Sequence, residues 1–213
     1  FENDQFRFGF AKFITIDGVK IWTQRLSYVG ELGYELYVDL KDAKKIYELL
    51  IEKGKDFNLS NCGMHAMDIM RMESGFLHWG HDISPEENQY QAGLAFTISN
   101  KKDVDFIGKK ALEKIKLNKV KTRFSMFTLK ESEPGKPLLL HDEPIYDGEK
   151  IIGRSTSGNY SFNFKKNLVF GYINNDFSNE ELQNKNLFIE VEKKKYLIEL
   201  ISKPLKQTNF KNN

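Results

Sequence analysis

The feature that most constrains this chain is the succession of short apolar segments between about Val120 and Ile201. "VKTRFSMFTL" alternates apolar and polar side chains. "EPIYDGEKIIGRSTSGNY", "LVFGYI", "LFIEVE" and "KYLIELI" follow it, separated by Gly, Asn, Asp and Pro. A period of two buries one face of a strand, and turn residues at these intervals bring each strand back beside another. The run therefore predicts a small all-β unit, a barrel or a sandwich.

Upstream the pattern is mixed. "KFITIDGVKIW" carries Asp17-Gly18 between two alternating runs, a hairpin signal. "RLSYVGELGYELYV" then reads as two further strands joined through Gly30 and Gly33. Asp42 is placed to cap a helix with Ile46, Leu49 and Leu50 on its apolar side. A second helix is predicted from about Cys62 to Ser74, ended by Gly75. "SPEEN" at Ser84 has the form of a capping box, with Pro85 at the first helical position. A further helix is expected after Asp105, with Ile107, Ala111, Leu112 and Ile115 on one stripe. The boundary falls near 118: residues 1–118 form an α+β segment and residues 119–213 an all-β domain.

Composition excludes some classes of function. Of 213 residues, 40% are apolar and 13% aromatic, so the chain has the material for a packed core. A net charge of +2, from 32 basic and 30 acidic side chains, gives no electrostatic ground for nucleic-acid binding. No apolar run approaches the ~20 residues of a membrane-spanning helix. The one cysteine, Cys62, fits a reducing compartment. The chain opens at Phe1 inside what reads as a sheet, and the expectation is a piece of a longer polypeptide.

Few residues carry chemistry by spacing alone. His78 and His81 lack two further ligands for zinc, and no metal is expected. Cys62 has no neighbouring base, so it reads as a packing residue. Met64, Met67, Met70 and Met72 read as flexible core filling. Gly30-Glu31-Leu32-Gly33 has neither the third glycine nor the following helix of a dinucleotide site. Tyr28 offers a ring and a hydroxyl, and Glu35 two acceptor oxygens. A flat heterocycle with adjacent N–H and NH2 groups would suit that carboxylate. An ordinary hairpin with an exposed glutamate is the plain alternative.

"SYVGELGYELYV" resembles the Tyr-x-Gly-Glu-x-Gly-x-Glu signature of the aminomethyltransferase (glycine-cleavage T-protein) folate-binding family. "GMHAMDIMRMESGFLHWGHDISPEENQYQAGLAF", "FIGKKAL" and "GEKIIGRSTSGNYSFNFKKNLVFGYI" are similar to further family motifs in the same order. The resemblance spans nearly the whole chain. It implies an α+β, T-protein-like folate-binding segment followed by a small C-terminal β-barrel. It also implies that Tyr28 and Glu35 contact the pterin of tetrahydrofolate, that Trp79 walls the pocket, and that Phe210 adds a contact near the C-terminus.

Two departures refine the expectation. Where the aminomethyltransferases carry an Arg-Asp pair, this chain has Met67-Asp68; Arg71 is expected to pair with Asp68 or Glu73. Their Leu-Tyr-Gly loop is replaced by His78-Trp79-Gly80, and "HWGHD" resembles the sarcosine and dimethylglycine dehydrogenase branch. There an FAD-binding amine-oxidising domain precedes the folate domain. The family's key aspartate lies upstream, so no catalytic residue is assigned here. The resemblance implies the one-carbon-accepting part of an FAD-dependent oxidoreductase. An iminium formed at the flavin would give its carbon to tetrahydrofolate as 5,10-methylenetetrahydrofolate. The expected partners are folate and the upstream flavin domain, with no nucleic acid and no membrane. The expected location is the cytoplasm, or the mitochondrial matrix in a eukaryote. A free-standing aminomethyltransferase and a non-catalytic folate-binding or regulatory module are the alternatives.

Overall fold

The computed structural model describes residues 4–98, 105–117 and 120–207. They form two compact units, Phe1–Phe76 with Lys206–Asn213, and Leu77–Leu205. The boundary expected at 118/119 lies outside the described residues.

The first unit starts from a hairpin. β1 (Ala11–Ile16) and β2 (Val19–Gln24) pair antiparallel, with Asp17 and Gly18 both at positive φ, as the Asp-Gly signal predicts. The next expectation fails. Arg25 to Tyr34 is a loop and not a strand, and only Glu35–Tyr37 returns to the sheet as β3. The loop starts after Arg25. Its side chain is 1% exposed and donates to the Phe6 carbonyl at 2.6 Å. Its backbone still bonds with Gly9 and Phe10, prolonging the β1/β2 pairing by one position before the chain leaves it. Gly33 then lets the loop fold over its own start, since a Cβ there would lie 2.8 Å from the Leu26 carbonyl oxygen.

Two α-helices, α1 (Leu40–Gly54) and α2 (Met64–Glu73), and a short 3-10 helix at Lys55–Phe57 complete the described part of this unit. Both α-helices were expected, but Asp42 does not cap α1: Asp39 stands at the N-cap and Asp42 lies within the first turn, while α2 starts at Met64 and not at Cys62. Ile21, Ile46, Ile69 and Met72 are buried. The methionine reading holds only in part, since Met72 is core and Met64 is exposed.

In the second unit the strand pattern left barrel and sandwich open, the family resemblance implied a barrel, and the structure is a closed barrel. β4 (Thr122–Leu129), β5 (Pro144–Asp147), β6 (Lys150–Ser161), β7 (Lys166–Asn174), β8 (Leu187–Val191) and β9 (Lys194–Ile201) close in the order β4-β7-β6-β5-β8-β9. Every neighbouring pair is antiparallel. Closure leaves no unpaired edge, and a barrel this small is filled by its own side chains. Phe127, Ile145, Ile189 and Ile198 belong to that filling. β7 reads as an unbroken apolar run because both of its faces are covered. Val169 and Ile173 join the barrel core, while Phe124 packs edge-on against Phe170 and Tyr172 on the other face.

The helices of this unit depart from expectation. Ser84 to Asn88 is a turn. Only half of the capping box forms: the Ser84 N–H donates to the Glu87 carboxylate at 2.8 Å, while the Ser84 hydroxyl also donates to that carboxylate and accepts from the Glu86 N–H rather than from Glu87. Asn88 then captures the N–H groups of Tyr90 and Gln91 with its side chain, which stops a helix from propagating. The sequence reading passed over a real helix of the same signature. Asn179–Gln183 is capped by a Ser178/Glu181 box and buries Leu182 in the barrel core. The helix expected after Asp105 is present as Lys109–Leu117, so in chain order these two are α3 (Lys109–Leu117) and α4 (Asn179–Gln183). Ile107 lies before α3 and is exposed, so the apolar stripe is narrower than expected.

Candidate functional site

Tyr28 sits on the loop 25–34, half-buried, with its ring stacked on Phe76 at 6.4 Å and 15°. The loop is tied to the end of α2, where the Ser74 hydroxyl donates to the Val29 carbonyl at 3.3 Å. Lys206 pairs with Glu31 on the same loop. Arg71, 1% exposed, donates to Asp68 through Nε at 2.9 Å and Nη2 at 2.7 Å, and to the Phe76 carbonyl at 3.1 Å. The expected Asp68–Arg71 pairing is therefore present, and Arg71 buttresses the Phe76 turn on which Tyr28 stacks.

Glu35 opens β3 opposite Gln24. It is exposed, and its Oε2 accepts a hydrogen bond from the Tyr37 hydroxyl at 2.7 Å. That bond, then partial burial and the Glu35 charge, raise the Tyr37 phenol above its ordinary range. Phe13, Trp22 and Tyr37 are in register across the three strands, so Glu35 lies beside an aromatic row. Tyr28 and Glu35 thus share a unit but have different partners. A shallow depression of about 670 Å³ on this sheet is lined by Phe13, Trp22 and Tyr37 among others, and by neither Tyr28 nor Glu35. Tyr37 was missed in the sequence, although its position two residues after Glu35 places both on one face of a strand.

Trp79 belongs to the second unit and is 65% exposed. It stands on a turn closed by the Asp82 N–H donating to the His78 carbonyl at 2.8 Å and by a bridge to Ile83. His78 and His81 approach to 4.5 Å between ring centroids, and His141 lies 6.4 Å from His81. Among the described residues no group of three or more His, Cys, Asp and Glu is placed to hold a metal ion. Asp82, also missed in the sequence, is buried beneath the turn and bonded to Thr156 and Ser157 of β6. The buried Tyr172 phenol is raised, chiefly by desolvation and further by the charges of Glu87 and Asp82. Phe210 lies outside the described residues. Among the described residues no helix is long and apolar enough to cross a membrane.

These elements match known proteins. Residues 1–102 match the GCVT N-terminal domain, and residues 123–206 match the glycine cleavage T-protein C-terminal barrel domain. The human mitochondrial dimethylglycine dehydrogenase is 32% identical over 211 residues, which is 99% of this chain and 24% of that protein. The 4-methylaminobutanoate oxidase (formaldehyde-forming) of Paenarthrobacter nicotinovorans is 40% identical over 154 residues, 72% of this chain and 18% of that one. The aminomethyltransferase of Alkaliphilus metalliredigens is 34% identical over 198 residues, 93% of this chain and 52% of that one. The crystal structure of aminomethyltransferase T from Bartonella henselae shares the fold, with a TM-score of 0.81 and 21% identity. It is covered to 55% by 97% of this chain.

The chain belongs to the glycine-cleavage T-protein family, carrying the N-terminal-type domain and the C-terminal barrel in that order. Its relatives include dimethylglycine and sarcosine dehydrogenases as well as aminomethyltransferases, all of them enzymes. It spans about half of the aminomethyltransferases and a smaller share of the dehydrogenases, 52% and 24% in the two cases above.

Proposed function

We propose that this chain is the tetrahydrofolate-binding, one-carbon-accepting part of an FAD-dependent oxidoreductase acting on an N-methylated glycine-type amine. Support comes first from the exposed carboxylate of Glu35 at the head of β3, set beside aromatic side chains. A pterin is flat and presents adjacent N–H and NH2 groups. Two carboxylate oxygens accept from such a pair, and charge-assisted bonds of this kind are stronger than neutral ones. Tyr28, half-buried and already stacked on Phe76, offers a ring to position the heterocycle. The residues present fit the group. Trp79 and Phe210 are proposed as further contacts on the strength of the family resemblance.

Among the described residues, the one glycine pair singled out in the sequence does not form a flavin-binding turn. Gly30 and Gly33 lie in a loop between two strands, without the following helix that receives a pyrophosphate. No oxidation step is therefore assigned to residues of this chain, and FAD is proposed to bind an upstream domain of the same polypeptide. What this chain supplies is placement: the folate amine held at reacting distance from the incoming one-carbon unit, away from water that would release it as formaldehyde. No catalytic residue is assigned within it. The proposed location is a reducing compartment, the cytoplasm or the mitochondrial matrix.

The test uses the complete gene product with dimethylglycine or sarcosine, an electron acceptor and tetrahydrofolate. Formation of 5,10-methylenetetrahydrofolate in step with amine oxidation is expected. Turnover of a lipoyl-bound aminomethyl group instead would establish the free-standing aminomethyltransferase. Folate binding without either turnover would establish the non-catalytic module. Formaldehyde alone, with no effect of folate, would match the name of the Paenarthrobacter relative and sink the folate reading.

A further inference from the structure

Loop 25–34 forms no strand or helix, and it is fastened by residues from elsewhere in its own unit. Phe76 stacks on Tyr28. The Ser74 hydroxyl has one proton and faces two carbonyls, Met70 at 3.0 Å and Val29 at 3.3 Å, so its hold on the loop is partial. The third fastening comes from far along the chain. The Lys206 ammonium pairs with the Glu31 carboxylate and lies 3.5 Å from the Val29 carbonyl oxygen. The Lys206 backbone N–H donates to the Glu73 carbonyl at 2.9 Å. Glu73 is the last residue of α2, so this bond satisfies a carbonyl that a helix leaves unpaired at its C-terminus. The negative end of the helix dipole favours a cation at the same place. The Lys206 side chain is 18% exposed and that of Glu31 58%. An ion pair with one partner in water shifts an equilibrium by only a few-fold, which suits a fastening that can release. Gly30 and Gly33 flank Glu31 and give the loop places to bend.

We propose that Lys206 is a latch: its pair with Glu31 holds loop 25–34 closed against the end of α2, and breaking the pair lets residues 28–33 open while the rest of the unit stays folded. Opening parts Tyr28 from Phe76 and uncovers the segment Ser74–Phe76. This goes beyond the folate reading and does not depend on it, because the latch belongs to the chain without ligand and is measured there. Lys206→Met removes the charge and keeps both the apolar stem and the backbone bond to Glu73. Glu31→Gln changes only an exposed side chain and serves if Lys206→Met does not fold.

The experiment is native-state cleavage of the complete gene product by chymotrypsin, without ligand, in a double-mutant cycle of Lys206→Met and Glu31→Gln. Cleavage sites are mapped by mass spectrometry, and rates are divided by those of the denatured chain. Where reclosing outpaces cleavage, the rate follows the population of the open loop. Each single change is expected to speed cleavage after Tyr28 or Leu32 about fivefold, the size of one partly exposed ion pair. Cleavage after Tyr47 on α1, itself exposed, should not change. The double variant is expected to match the singles, because each change removes the same interaction. Salt at about 0.5 M should speed loop cleavage in the parent and not in the variants. Additive effects in the double variant, parent-like cleavage in Lys206→Met, or a rise shared equally by Tyr47 overturns the proposal.

Discussion

Glu35 stands exposed at the head of β3 with the Tyr37 hydroxyl as its bonded partner, whereas Asp82 is 1% exposed and takes bonds from Thr156, Ser157 and the His78 backbone. Both are carboxylates beside an aromatic side chain, but their burial decides what each can do. A carboxylate at the surface exchanges water for a ligand at little cost. A carboxylate enclosed among protein donors cannot be spared, because removing it leaves those donors buried and unpaired. The first arrangement suits recognition and the second suits support.

The comparison breaks most plainly under truncation. Asp82→Ala is expected to destabilise the second unit by about 3 kcal/mol, from two buried hydroxyls and one N–H left without an acceptor. Glu35→Ala should change stability by no more than ~0.5 kcal/mol, as for an ordinary surface site. Urea unfolding of the two variants side by side measures both, and equal losses would erase the distinction. Arg71→Met tests whether the first unit has a support of its own. Its pair with Asp68 is buried on the arginine side and 29% exposed on the aspartate side, so a loss of about 2 kcal/mol is expected, below that of a fully buried pair.

Smaller effects sharpen the comparison. Met67→Arg restores the residue type of the aminomethyltransferases, but Asp68 is already engaged by Arg71. Folate affinity should not improve, and a clear gain would show that the pocket keeps the aminomethyltransferase arrangement. Tyr37 gives the smallest effect. Its phenol is raised by the bond to Glu35, so the folded state favours the protonated form. The linked stability is present below the ordinary phenol range and is lost as pH rises through the raised value. Glu35→Gln should move the Tyr37 titration, followed by ultraviolet absorbance, back toward that ordinary range.

Much of this was legible in the chain. Asp17-Gly18 specified its turn, and the alternating runs after Val120 specified strands. Local pattern could not choose barrel over sandwich, because the pairing of β4 with β9 joins distant segments. It could not rank two identical capping signatures either. The Ser84 box formed only by half and Asn88 diverted the backbone, while the Ser178 box closed on both sides with Leu182 buried behind it. Tyr28 and Glu35 were nominated through a family motif, and the structure gives them different partners, Phe76 and Tyr37. Asp82 was not, since its partners lie in β6 and become reachable only through a bulge.

The most direct test of the central claim is the affinity of the complete gene product for tetrahydrofolate before and after Glu35→Gln. The amide keeps the shape but offers one acceptor oxygen and turns an NH2 toward the ligand's own donors. A loss of roughly 1–3 kcal/mol, about ten- to a hundredfold in affinity, is expected, with amine oxidation nearly unchanged and more of the carbon released as formaldehyde. Parent-like affinity in Glu35→Gln would contradict the account and leave Glu35 an ordinary surface glutamate on a short strand.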